Sequence, residues 1–222
     1  MGFRKLLNRI RIMFTNKRVP AAADRNKEAI CSVLKKILPT DMDLRALEIA
    51  SGSGLHAGHL AAAFPRITWI PSELDRSHWP SILAYKADFS NIENPLEIDV
   101  IQAPGSWIPQ IQSQSIDIII NINMIHISPW SATQGLFRAA GELLKKDGVL
   151  ITYGPYSKNG ILRPESNANF HRQLQNQNSE WGIRDITDLS EEGNEHGLRL
   201  HEEFDMPANN KILVFRRNTC LG

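Results

Sequence analysis

The stretch Arg45–Phe64, RALEIASGSGLHAGHLAAAF, constrains this chain more than any other. Ala46, Leu47, Ile49 and Ala50 make a short apolar run, as a buried parallel strand does. Ser51-Gly52-Ser53-Gly54 is a glycine turn, and from Leu55 the sequence becomes Ala/Leu-rich with helical spacing. Strand, glycine turn and helix form the opening half of a βαβ unit. Glycine lets the backbone turn tightly and come close to a ligand. The free N–H groups of the new helix point at whatever lies over the loop.

Two ligand chemistries use such a loop. Dinucleotide sites carry G-x-G-x-x-G. Here Gly52 and Gly54 are followed by Ala57 and then Gly58, an imperfect match. Glu48 also lies in the strand ahead of the loop, where it would repel a pyrophosphate. An acidic residue followed by x-x-x-G-x-G, Glu48 to Gly54, resembles the first motif of class I S-adenosylmethionine (SAM) methyltransferases. A carboxylate suits the ammonium and sulfonium at the methionine end of that cofactor. The resemblance implies SAM as cofactor and places Glu48, Ser51, Gly52 and Gly54 around it. It also implies an α/β, Rossmann-like class I methyltransferase fold with a mostly parallel seven-stranded sheet. The plainer alternative is a strand–turn–helix that binds nothing.

Composition narrows the field. The 222 residues suit one α/β domain with a substantial core, and net charge is +1. There is no global basic field for nucleic acid. Cys31 and Cys220 lie far apart, which suits free thiols in a reducing compartment. The most apolar stretch, Ile116 to Ile127, is interrupted by Asp117, Asn121, Asn123 and His126, so no membrane span is expected.

Residues 1–19 stand apart. They carry Arg4, Lys5, Arg9, Arg11, Lys17 and Arg18 and no acid, with Leu6, Leu7, Ile10 and Phe14 at helical spacing. Such a start fits a mitochondrial presequence, a membrane-surface helix or a loosely docked leader. Residues 20–222 then form the single domain. A helix is predicted after Asp24-Arg25-Asn26, through about Leu38, where Pro39 ends it. Class I methyltransferases often fold this segment over the cofactor, so Arg25 is a candidate for its carboxylate.

Ile67–Ile70 reads as the second strand, ending at Pro71-Ser72-Glu73-Leu74-Asp75. Ligands in doubly wound folds bind at carboxyl ends of strands, and an acid about 20 positions past the loop commonly takes a ribose. Glu73 fits, with Asp75 as the alternative or as a helix cap. Leu96–Val100 is a candidate third strand, and the class I pattern sets Asp99 against an adenine amino group. Ile116–Asn123 is the central strand, carrying Asn121, Asn123 and His126 at its carboxyl end. A helix through Leu144, a Lys145-Lys146-Asp147-Gly148 turn and a fifth strand at Val149–Tyr153 follow. His56 and His59 have a chelating spacing but no third ligand, so no metal site is assigned. Gly154–Gly160 is a predicted loop, followed by helices and a C-terminal antiparallel hairpin, Leu198–Met206 with Lys211–Arg216.

AAADRNK at Ala21–Lys27, LEIASGSGLHAGHLAAAFP at Leu47–Pro65, INMIHISP at Ile122–Pro129, GLFRAAGELLK at Gly135–Lys145, ITYGPY at Ile151–Tyr156, EWGIRD at Glu180–Asp185 and DMPANNK at Asp205–Lys211 resemble the methyltransferase-like protein 26 family of uncharacterised SAM-dependent methyltransferases. The resemblance covers nearly the whole chain from about Ala21; the basic leader departs from it. It implies that Arg25, Tyr153, Tyr156, Trp181, Arg184, Asp185 and Asn209 belong to family motifs beyond the cofactor loop. His126, Tyr153, Tyr156, Arg184 and Asp185 are the substrate-side, catalytic candidates.

The expected function is SAM-dependent methyl transfer to a small-molecule or peptide acceptor, with nucleic acid disfavoured. Displacement at an activated methyl needs positioning and desolvation more than acid–base power. A non-catalytic SAM-binding or scaffold protein is the alternative, and a nicotinamide oxidoreductase is disfavoured by Glu48. The expected compartment is cytoplasmic, or mitochondrial if the leader targets.

Overall fold

The computed structural model describes residues 16–107 and 111–217. Residues 1–15 of the predicted leader, and Cys220, lie outside that range. The chain divides into two compact units, Met1–Ile98 and Asp99–Gly222.

In the first unit, α1 runs Ala21–Ile37 and buries Ile30, Cys31, Val33 and Leu34. It begins directly after Pro20, earlier than predicted, because Ala21–Ala23 are themselves good helix formers. Strand β1 (Leu44–Ile49), helix α2 (Leu55–Ala63) and strand β2 (Ile67–Pro71) follow the expected order. β1 and β2 pair in parallel, from Leu44 opposite Ile67 to Glu48 opposite Pro71. Helix α3 (Trp79–Lys86) comes after a short turn at Arg76–His78. Trp69, Phe64, Leu47, Leu60 and Ile82 fill the core and are almost wholly removed from water.

The predicted strand at Leu96–Val100 does not form. Ile92 and Leu96 instead bridge singly to Trp69 and Ser72. Four residues advance on one side against three on the other, and Pro95 has no N–H to donate, so no ladder propagates.

The second unit contains β3 (Ile116–Ile122), α4 (Trp130–Leu143), β4 (Leu144–Ser157), α5 (Glu165–Gln177), β5 (Arg184–Asp185), α6 (Ile186–Glu195), β6 (Leu198–Met206) and β7 (Asn210–Arg217). Its strand order is β3-β4-β7-β6, with β5 on β4. β3 and β5 run parallel to β4. β7 runs antiparallel to both β4 and β6, the predicted hairpin. Phe137 of α4 meets Phe215 of β7 edge to face, ring centres 4.9 Å apart. Seven strands are present among the described residues.

β4 differs from expectation at both ends. Ile116 pairs with Leu144 and Ile118 with Val149, so Lys145–Gly148 bulge out of the ladder instead of closing a helix. The strand also continues through Gly154–Ser157, predicted as loop. β3 has ended opposite Tyr153, so the missing N–H of Pro155 breaks no β3 bond. β7 meanwhile pairs as far as Pro155 and Asn210.

Candidate cofactor and acceptor sites

The loop between β1 and α2 is wound through left-handed conformations, with φ of 58° at Ala50, 54° at Gly52 and 79° at Gly54. Ala50 is a non-glycine residue there, at a cost on the order of 1–2 kcal/mol, and such strain tends to collect at ligand sites. The end of β2 holds the loop. Ser51 N donates to Ser72 O at 2.8 Å, and Ser72 N to Ser51 Oγ at 3.1 Å. Ser72 Oγ donates to Glu48 O at 2.7 Å. Sequence reasoning misses Ser72 as a site residue; the available signal is a small polar residue at a strand end beside the acids.

Glu73 is brought to the glycine loop. Gly52 N donates to its Oε2 at 2.7 Å, and Asp75 N to its Oε1 at 3.1 Å. Asp75 caps the following turn, accepting from Ser77 N at 2.8 Å and Ser77 Oγ at 2.9 Å. That is the helix-cap alternative weighed for it. Space over Gly52 is open: an added Cβ there would meet nothing within 4 Å. Gly54 is closed, because its added Cβ would lie 2.9 Å from Ile82 Cα.

Glu48 lies beneath this loop, 1% exposed, and its Oε2 has no hydrogen-bond partner. Burial pushes its pKa up to about 7; Ser51 opposes the shift and Glu73 adds to it. On α2, His56 Nε2 shares a hydrogen bond with Asn26 Oδ1 at 2.7 Å, fastening α1 to α2. Burial, helped by His59, lowers His56 to about 4. His59 faces Glu28 instead, at 3.5 Å. Arg25 is exposed on α1.

In the second unit, the half-buried Asp99 accepts from Ile101 N, within its own turn. Asn121 is wholly buried in β3, opposite Thr152. Asn123 takes φ 67° just past β3 and donates its N–H to Tyr153 O at 2.9 Å. His126 sits on the turn Ile125–Ile127, 6% exposed, with Phe170 edge-on at 5.7 Å. Burial and then the nearby Arg184 charge lower it to about 4, so it is neutral at pH 7.

Tyr153 and Tyr156 are both buried within β4, and Tyr156 falls in the stretch predicted as loop. Arg184 Nη2 donates to Ser128 O at 2.9 Å and Glu180 O at 2.6 Å, with its guanidinium 5.8 Å from the Trp130 ring. Asp185 is engaged on all sides. It accepts from Ser157 Oγ, Gly160 N and Thr187 N, each at 2.8 Å, and from Asn159 N at 3.2 Å. Burial raises its pKa, and the Thr187 and Gly160 N–H bonds outweigh that and leave it lowered. Trp181 is half-buried, and Asn209 is exposed, donating to Ser166 Oγ at 3.3 Å.

The fold these elements build is that of the class I SAM-dependent methyltransferases. Human N-acetylserotonin methyltransferase in complex with SAM matches 89% of this chain at 14% identity and TM-score 0.69; the chain spans about half of it, 53%. A Galdieria sulphuraria protein assigned as a sarcosine dimethylglycine methyltransferase matches 88% of this chain and 86% of its own, at 14% identity and TM-score 0.69. The mitomycin 7-O-methyltransferase reaches TM-score 0.71 at 16% identity, over 89% of this chain and 56% of its own. Residues 17–217 match the family described as "Protein of unknown function (DUF938)", and the chain belongs to that family.

Proposed function

We propose that this protein is a SAM-dependent methyltransferase acting on a small or medium acceptor, with residues 20–222 as its methyltransferase domain. The observation that carries this reading is Glu73, hydrogen-bonded to Gly52 N across an open, strained glycine loop. The residues present suit the cofactor. Glu73 would take the ribose hydroxyls, the loop N–H groups would face the carboxylate of the cofactor's amino-acid end, and the partnerless Glu48 Oε2 would accept from its ammonium. Arg25, Ser51, Gly54, Asp99, Asn121 and Asn123 complete the proposed cofactor set. When bound, SAM supplies an activated methyl on a sulfonium.

The protein's own part is to hold the acceptor in line and exclude water. Neutral His126 has a ring nitrogen able to accept a proton from the acceptor, though its lowered pKa makes it a weak base. Tyr153 and Tyr156 wall the acceptor side. Arg184 and Asp185 hold the segment around it. The methyltransferase-like protein 26 resemblance of the sequence supports the same reading.

Calorimetric titration with SAM and with NAD(P) tests it: SAM should bind and the dinucleotides should not. Turnover of labelled SAM against metabolite and protein extracts then separates an enzyme from a SAM-binding scaffold. For location, we propose the cytoplasm, with the mitochondrion as the second option. A reporter fused to residues 1–19 decides between them. No helix among the described residues is long and apolar enough to cross a membrane.

A further inference from the structure

One face of the second unit carries buried polar groups that the fold leaves unused. Tyr156 is 4% exposed, and its hydroxyl has no well-formed hydrogen bond. Thr152 Oγ1, two repeats of the pleat away on the same face of β4, has none either. Burial raises the phenol's pKa, and Thr152 is near enough to oppose that shift without satisfying the hydroxyl. Between them Gly154 adds no side chain, and the His126 ring packs against its backbone. A Cβ placed there would lie 3.2 Å from His126 Nδ1 and 3.7 Å from Tyr156 Oη, so ring and hydroxyl converge on that spot. Tyr156 is also the register partner of Arg184 in β5. The neighbouring pair Ser157 and Asp185 share a face, since their side chains are bonded at 2.8 Å. Tyr156 and Arg184 therefore share the other.

Arg184 is only partly used. Its Nη2 holds two carbonyls, while its Nε is buried without a partner. A buried donor left unsatisfied is costly, and more so when charged, so such groups favour an occupant. The donors here are a phenol O–H and a guanidinium N–H, beside a neutral imidazole that can donate or accept once. A cationic N–H that can only donate, beside a phenol that can donate as well, matches a carboxylate better than an amine or an alcohol. Trp130 under the guanidinium and Phe170 against His126 add aromatic surface for a planar body.

We propose that Tyr156 Oη, Arg184 Nε and the His126 ring form an anchoring site for a carboxylate, and that the methyl acceptor is a small, planar carboxylic acid. The second clause rests on the methyltransferase reading; the site itself does not. It differs in kind from the cofactor loop, because its ligand is an anion held by cationic and neutral donors.

Benzoate, phenol and benzamide are the probes, titrated against the whole protein by calorimetry without SAM. Benzoate should bind, and phenol and benzamide at least about tenfold more weakly, since hydrogen bonds involving a charged group are stronger than those between neutral ones. Tyr156→Phe should weaken benzoate about tenfold or more while keeping the melting temperature, because the lost hydroxyl makes no well-formed bond within the fold. Gly154→Ala should also weaken it by crowding His126. Equal binding of the three probes, no benzoate binding at millimolar concentration, or benzoate binding unchanged in Tyr156→Phe would each overturn the site. SAM affinity measured on the same samples keeps the two readings apart. Intact SAM binding without benzoate binding sinks only the anchoring site, and the reverse sinks only the cofactor assignment.

Discussion

At the scale of the residue, Gly52 and Gly54 separate two jobs that look alike in the sequence. Both take positive φ, but only Gly52 faces open space. Gly52→Ala should cost about 1 kcal/mol of stability through its φ and should reduce SAM affinity by obstructing the loop. Gly54→Ala drives a methyl against the Ile82 backbone and should lower the melting temperature much further. Similar SAM affinity for Gly52→Ala and wild type would remove the loop from the cofactor site. Glu73 and Asp75 separate in the same way. Glu73→Ala should weaken SAM by about 1.5–3 kcal/mol, the scale of hydrogen bonds to a charged acceptor. Asp75→Ala loses a turn cap and should affect stability more than binding. If calorimetry finds the reverse order, Asp75 is the ribose ligand.

At the scale of the element, the segment after β4 is held by Asp185 and Arg184. Asp185 caps α6 through Thr187 N and pins Ser157, Asn159 and Gly160. Arg184 ties the same segment to the turn that carries His126, whose carbonyl also accepts from Gly182 N at 3.0 Å. Asp185→Ala should therefore cost about 1–2 kcal/mol, seen as a lower melting temperature with SAM affinity preserved. An unchanged melting temperature together with lost turnover would move Asp185 to the acceptor side. β5 itself is two residues long, and no periodicity marks so short a strand. Its existence follows from this network.

At the scale of the whole molecule, buried titrating groups set how stability varies with pH. The folded-state pKa of Glu48 is raised from 4.5 to about 7. The native state therefore holds the extra proton, and this contribution is lost as pH rises from about 4.5 to about 7. Above pH 7 it amounts to a penalty on the order of 3 kcal/mol. Glu48→Gln should remove it, raising the melting temperature at pH 8 and changing it little at pH 4. His56 and His126 act in the opposite sense, since both are lowered from 6.5 to about 4. They favour the native state at pH 7 and lose that contribution as pH falls below about 6.5. Thermal melts from pH 4 to 8 on Glu48→Gln and wild type check the signs, and a variant curve parallel to wild type would place Glu48 outside the buried set.

The pieces legible in the sequence were local ones. The strand–glycine–helix motif, the acid past the second strand, the central apolar strand and the final hairpin each announce themselves through periodicity or turn residues within a dozen positions. Strand pairing and burial decided the rest. Pro95 and an irregular register kept Leu96–Val100 from forming a strand, while pairing with β7 extended β4 through residues that look like a loop. Only burial by distant neighbours could raise Glu48, silence His126 and leave the Tyr156 hydroxyl unsatisfied. Desolvation and strand pairing depend on what packs alongside, and a side chain's own sequence neighbours do not carry that information.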